Sequence, residues 1–141
     1  MLNQLLLGLR ILVVDDDYFV AQETCRYITG AGAAAAGPLP SNEEALRFLD
    51  GSSVVDGVLL KQVLRDGSSD ATRIELERRN LPYLFTASGM AMATPRPGMP
   101  LLFTPLSGRA PALLVRRTFR RARPIEGEDG EAQRAAGWCE T

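Results

Sequence analysis

Apolar positions gather into short, nearly continuous runs, and between the runs they recur at helical spacing. Ile11 to Val14 is a run of four β-formers ending in Asp15, Asp16 and Asp17, the pattern of a strand buried on both faces with carboxylates at its carboxyl end. Val54, Val55, Val58, Leu59 and Leu60 form a second such run, which stops at Lys61. Pro82 opens a third through Tyr83, Leu84 and Phe85 that runs out into Thr86, Ala87, Ser88 and Gly89, and Leu101 to Phe103 leads into Thr104-Pro105. Ala33 to Ala36 favours helix by propensity, but four residues between Gly32 and Gly37-Pro38 are too few for one, which predicts a short edge-side strand.

The intervening segments carry helix signals. Asp17 is placed to cap a helix over Tyr18 to Thr29, ended by Gly30 and Gly32, and Ser41 with Glu44 forms a capping box ahead of Ala45, Leu46, Phe48 and Leu49, ended by Gly51. After an Arg65-Asp66-Gly67 turn, Ser69 or Asp70 caps a third helix with Ile74 and Leu76 facing inward and Asn80 at its end. Ser107 caps the last helix, which runs to Ala122 with Ala112, Val115 and Phe119 on one side and Arg116, Arg120 and Arg123 on an adjacent one; Leu113 and Leu114 fall off the apolar stripe, partly exposed. Met90 to Pro100 holds Pro95, Pro97, Pro100 and Gly98, too many breakers for a full helix.

Five alternations of strand and helix with short connections predict an α/β doubly wound five-stranded parallel sheet with helices on both faces. The expected order is 2-1-3-4-5, the flavodoxin-like winding, with a reduced or missing fourth helix. Its switch point between strands one and three brings the aspartates beside Lys61, beyond the carboxyl ends of the strands where chemistry gathers. Lys61 is also the chain's only lysine, against fifteen arginines.

A chain of 141 residues with 45% apolar content suits one domain, placed at residues 10–123 with an extension at 1–9 and an acidic tail at 124–141 that is expected to fray apart from a contact by Trp138. A net charge of −1 gives no bulk reason to expect nucleic acid or an anionic membrane as partner. Cys25 and Cys139 are too few and too separated for a disulfide framework or a zinc site, and the apolar N-terminus has neither a basic n-region nor a cleavage site, so a cytoplasmic location is expected. The absence of histidine excludes His-based triads, His metal sites and a phosphohistidine in these residues.

Taken together, ILVVDDD, the GP after strand two, VDGVLL with VLRDG, LPYLF and the TP after strand five resemble the CheY-like receiver domain of two-component response regulators, over about Arg10 to Ala122. In receivers two acidic residues after strand one and an aspartate ending strand three bind magnesium, and that third aspartate accepts phosphate from a histidine kinase. A Thr or Ser after strand four and a Lys before the strand-five proline complete the switch. The resemblance puts the acidic pair on Asp15 and Asp16, the phosphoacceptor position on Lys61, and the switch hydroxyl on Ala87, or on Thr86 or Ser88 with the strand shifted by one. It puts the conserved lysine on Thr104, before Pro105. PYLFTASG also resembles the PFxFATGY stretch of a subgroup of stand-alone alphaproteobacterial receivers that have a reduced fourth helix.

Lys61 then reads as an internal replacement for a metal: an ammonium beside two carboxylates repels a cation and supplies the opposing charge itself. Such a pair is worth about 4 kcal/mol before desolvation at 4 Å and an effective dielectric of 20, and the alternative is a Lys61 that snorkels into solvent. Asp66 reads as a turn residue rather than a substitute acceptor, Cys25 as a small buried hydrophobe, and the last-helix arginines as a solvated face. The expected function is a degenerate, non-enzymatic receiver acting as a phosphorylation-independent protein-interaction module, without cofactor. Its partners would be a histidine kinase, phosphotransferase or regulator, or a second copy, met through the strand-four, strand-five and last-helix face, where Leu113, Leu114, Met90, Met92 and Met99 offer adaptable apolar contact. The alternatives are a receiver phosphorylated with magnesium on a substitute residue, such as Asp66 or one of Asp15 to Asp17, and a small flavodoxin-like ligand binder; the latter lacks a glycine-rich phosphate loop after strand one.

Overall fold

The structure, a computed structural model, describes residues 4–51, 53–89 and 97–121. In chain order the elements are β1 (Arg10–Val14), α1 (Tyr18–Gly30), β2 (Ala34–Leu39), α2 (Asn42–Asp50), β3 (Gly57–Lys61), the two-residue strands β4 (Val63–Leu64) and β5 (Gly67–Ser68), α3 (Asp70–Arg78), β6 (Tyr83–Ala87), β7 (Leu101–Phe103) and α4 (Ala110–Arg121). The main sheet has the order β2-β1-β3-β6-β7 with every pair parallel, while β4 and β5 form a separate antiparallel hairpin. With the hairpin set aside, this is the expected 2-1-3-4-5 winding. Four helices occur among the described residues, and none of them lies between β6 and β7. Met90, Met92 and Pro95 fall outside the described residues, as does everything from Ala122 on, Trp138 and Cys139 included.

Alternation along the strands divides the core in two. Ile11, Val13, Leu59, Leu84 and Leu102 face a layer with Cys25 and Ile28 of α1 and Ala112, Val115 and Phe119 of α4. Their neighbours Leu12, Val14, Val58, Leu60 and Phe85 face Ala45 and Leu49 of α2 and Leu76 of α3. Both faces of the central strands are therefore covered, which is why they read as unbroken apolar runs. At Gly57 a Cβ would come within 2.5 Å of the Phe119 ring, so only glycine lets α4 approach β3 this closely.

Several details depart from the sequence pattern. Strand β2 continues past Gly37-Pro38 to Leu39, because a register shift between Leu12 and Val14 absorbs the extra residue; Gly37, at φ 92°, lies where a Cβ would meet the Val13 carbonyl oxygen at 2.7 Å. Ile74 is exposed, and Thr72 with Leu76 forms the inner face of α3 instead. Positions 74 and 76 lie about 200° apart on a helix, whereas 72 and 76 stack one turn apart. Helix α4 starts at Ala110 rather than behind a Ser107 cap. Its first turn is held by the Tyr27 hydroxyl of α1, which accepts from the Ala112 amide and donates to the Gly108 carbonyl. Ser69 precedes α3 without a side-chain cap bond, its hydroxyl being donated to the Gln62 carbonyl. Residues 4–9, expected as an extension, contribute Leu5, Leu6 and Leu9 to the α1/α4 core, and the Leu6 amide donates to the Ala31 carbonyl.

Candidate functional site

The parallel pairing of β1 with β3, with Val14 opposite Leu60, carries the residues that follow each strand to the same edge of the sheet. There the Lys61 ammonium lies 2.8 Å from Asp16 Oδ1 and 3.9 Å from Asp15 Oδ1. The lysine side chain is 18% exposed, Asp16 22% and Asp15 4%, so the cluster is largely shielded from solvent. Asp17 serves differently: its carboxylate accepts from the Val20 amide and caps α1, while its own amide donates to Asp15 Oδ1 at 2.8 Å.

Burial shapes the charges. Asp15 is raised from 3.8, with desolvation outweighing the Asp17 amide and the Lys61 charge that pull it down, and the neighbouring Asp16 and Asp17 adding to the rise. Desolvation pulls Lys61 down, yet the hydrogen bond to Asp16 and the charges of Asp15, Asp16 and Asp17 together hold it above 10.5. Asp16, at contact distance, is thus the lysine's working partner, and Asp15 is a buried carboxylate that Lys61 only partly compensates.

Lys61 pairs with Thr86 across β3 and β6, and the Gln62 amide donates to the Thr86 carbonyl. Lys61, Thr86, Ala87 and Ser88 together line a cavity of about 10 Å³, room for one water. The structure therefore gathers all three candidate switch positions beside Lys61, with Thr86 and Ala87 buried and Ser88 exposed. Thr104 does not join them, since both its amide and its hydroxyl donate to the Ala87 carbonyl, at 2.9 and 3.3 Å, ahead of Pro105.

Asp66 is more than a turn residue. Its carboxylate accepts from the Asn42 amide, the Asn42 side chain and the Glu43 amide, at 3.0, 3.1 and 3.2 Å, capping α2 from across the β4–β5 hairpin and lowering its own pKa, with the Asn42 amide the largest cause. Asn42 also donates to the Ser68 carbonyl and accepts from the Thr72 amide and hydroxyl, so one buried side chain ties α2, the hairpin and α3 together. Sequence reasoning passed over Asn42 because Ser41 already satisfied the cap; its only signal was a second capping-type residue beside the first.

Cys25 is buried and its thiol is pushed up to about 11 by burial, with the Asp15 charge adding to it, so it is an unreactive core residue. Met99 packs against the α2/α3 core and Leu114 against the α1/α4 core, leaving Phe103 and Leu113 as the large apolar side chains exposed along β7 and α4. Tyr18 and Phe19, unremarked in the sequence, are exposed in an edge-to-face pair at the head of α1, directly after the aspartates.

No protein-family model matches the chain, and no curated protein matches it. Solved structures do. SdrG from Sphingomonas melonis Fr1 is 25% identical with a TM-score of 0.64, covering 79% of this chain and 98% of that one. The HemR receiver domain from Leptospira biflexa is 23% identical with a TM-score of 0.58, over 83% of this chain and 98% of that one. The response regulator PhyR from Brucella abortus is 20% identical with a TM-score of 0.66, over 91% of this chain and 52% of its own. The chain thus has the fold of a response-regulator receiver domain, a five-stranded parallel sheet whose acidic edge is closed by a lysine.

Proposed function

We propose that this chain is a receiver whose phosphoacceptor position is filled by Lys61, and that it acts in signal transduction as a protein-interaction module independent of phosphorylation. The observation that carries this is the 2.8 Å contact between the Lys61 ammonium and Asp16, with Asp15 at 3.9 Å. A magnesium ion needs oxygen donors in a near-octahedral shell, and here the lysine's positive charge sits among those donors; the residues present do not fit the metal. With Lys61 at the end of β3, the carboxylate that would form an acyl phosphate at that position is missing, and Thr104 stands where the lysine that would engage it is expected. What remains is the binding role: a rigid fold presenting β6, β7 and α4 to a kinase, phosphotransferase, regulator or second copy.

Phosphorylation on a substitute residue, Asp66 or one of Asp15 to Asp17, is the weaker reading, because both Asp66 oxygens are committed to the first turn of α2, Asp15 accepts from the Asp17 amide, Asp16 is held by Lys61 and Asp17 caps α1. Magnesium titration followed by NMR tests the site. The amide signals of Asp15 to Asp17 should stay in place in the wild type and shift saturably in Lys61→Asp. Shifts of the same size in the wild type would overturn the reading.

A further inference from the structure

Helix α4 has no acidic residue, and Arg109 just before it, Leu113, Arg116, Arg117 and Arg120 lie within about 100° of one another around its axis. They sit beside rather than on the Ala112, Val115 and Phe119 face that enters the core. Arg109, Leu113, Arg116 and Arg117 are exposed. Arg120, half-buried, donates to the carbonyl of Leu7, which sets a second exposed leucine at the far end of the stripe. Two turns, about 10 Å, separate Leu113 from Arg120.

Charge singles this stripe out. Among the described residues, Arg26, Arg47, Arg73, Arg78 and Arg79 each pair with a carboxylate, whereas Arg109, Arg116 and Arg117 have no acidic partner. Those pairs already occupy Glu23, Glu43, Glu75 and Glu77, so the rest of the described surface offers a second copy little counter-charge. Isologous contact through α4 is disfavoured as well, because it sets arginine against arginine. Nucleic acid fits poorly: a net charge of −1 gives it no long-range attraction, and phosphates leave Leu113 and Leu7 uncovered.

A partner helix answers both features. About three turns match the roughly 17 Å from Arg109 to Arg120, and apolar side chains seven residues apart reach Leu113 and Leu7. Carboxylates flanking those positions meet guanidinium groups, whose planar fork takes a carboxylate through two parallel hydrogen bonds. We propose that the exposed side of α4, from Arg109 to Arg120 with Leu7, is the docking surface for an acidic amphipathic helix of a partner protein. This rests on the reading of the β6, β7 and α4 side as a binding face and gives that face its partner chemistry. The leucines supply the apolar anchors, and the arginines select the sign of the partner's charge.

The test uses the full isotope-labelled chain and a synthetic helical peptide of about 16 residues, with leucines seven apart and glutamates flanking them, beside a scrambled peptide of the same composition. The amides of residues 109–120 and of Leu7 should shift saturably with the patterned peptide. Affinity should fall by about tenfold or more in the double variant Arg116→Glu/Arg117→Glu, whose amide spectrum away from α4 verifies its fold. It should fall several-fold in Leu113→Ala, and likewise at about 0.5 M salt, where the Debye length drops to roughly 4 Å. Equal binding of the scrambled peptide would overturn the proposal by reducing the stripe to unspecific attraction between charges. An unmoved stripe, shifts that grow with protein concentration in the absence of peptide, or tighter binding of a short DNA duplex would overturn it too. Peptide bound at another surface would remove this inference and leave the interaction-module reading standing. Shifts on the stripe of a wild type that also takes phosphate would do the reverse.

Discussion

At the scale of single residues, the site turns on how unevenly one lysine serves two aspartates. Lys61 makes a full contact with Asp16 and a distant one with Asp15, whose pKa is raised chiefly by burial. Replacing Lys61 by alanine removes the compensating charge from a largely shielded pair, and we expect unfolding free energy to fall by about 1–2 kcal/mol, between the values for exposed and fully buried pairs. The pH dependence follows from the direction of each shift. Lys61 is held above 10.5 in the folded state, so its contribution is complete below that value and is lost as pH rises through its folded pKa. Asp15 lies above 3.8, so the folded state holds its proton more tightly, and stability falls as pH rises from 3.8 through that folded value. Urea unfolding of the wild type and Lys61→Met between pH 8 and 11.5 checks the first: the stability difference should be constant up to about pH 10.5 and then narrow. A difference unchanged across the range would contradict the pairing. The proximity of Lys61 to the aspartates was legible in the sequence, because strand ends in a parallel sheet share one edge. The choice of Asp16 over Asp15 was not, since it depends on ångström-level placement beyond any pattern.

At the scale of elements, the hairpin after β3 distinguishes this chain's acidic edge from a simple loop. Leu64 is buried and Val63 exposed, and Asn42 and Asp66 bind the hairpin to α2 and α3. Substituting Asn42 by alanine leaves the buried Thr72 hydroxyl and the Asp66 carboxylate short of partners, so we expect a loss of about 2 kcal/mol and faster amide exchange confined to residues 63–72. Uniformly faster exchange across the sheet would show that Asn42 supports the global fold instead. The strands were readable because fully buried strands announce themselves as continuous apolar runs. Readings failed where a tertiary partner overrode the local signal: the Ser107 cap lost to Tyr27 reaching over from α1, and Ile74 lost its inward place to Thr72, whose hydroxyl finds Asn42. The hairpin itself hid inside what read as a single turn.

Across the whole molecule, winding order and charge distribution act together. The switch point between β1 and β3 brings the acidic edge and Lys61 into contact. The doubly wound architecture was legible from alternation alone, and solved receivers share it at 25% identity or less. The contribution of Leu5, Leu6 and Leu9 to the core escaped a reading that started the domain at Arg10, because three leucines without a strand or helix period carry no signal of where they pack. On the proposed function, Lys61 leaves this fold its architecture without its phosphoryl chemistry. Intact mass after incubation with acetyl phosphate and magnesium tests it most directly, with Lys61→Asp run alongside. The wild type should gain no mass, and Lys61→Asp should gain one phosphoryl group. A phosphoryl group on the wild type would contradict it.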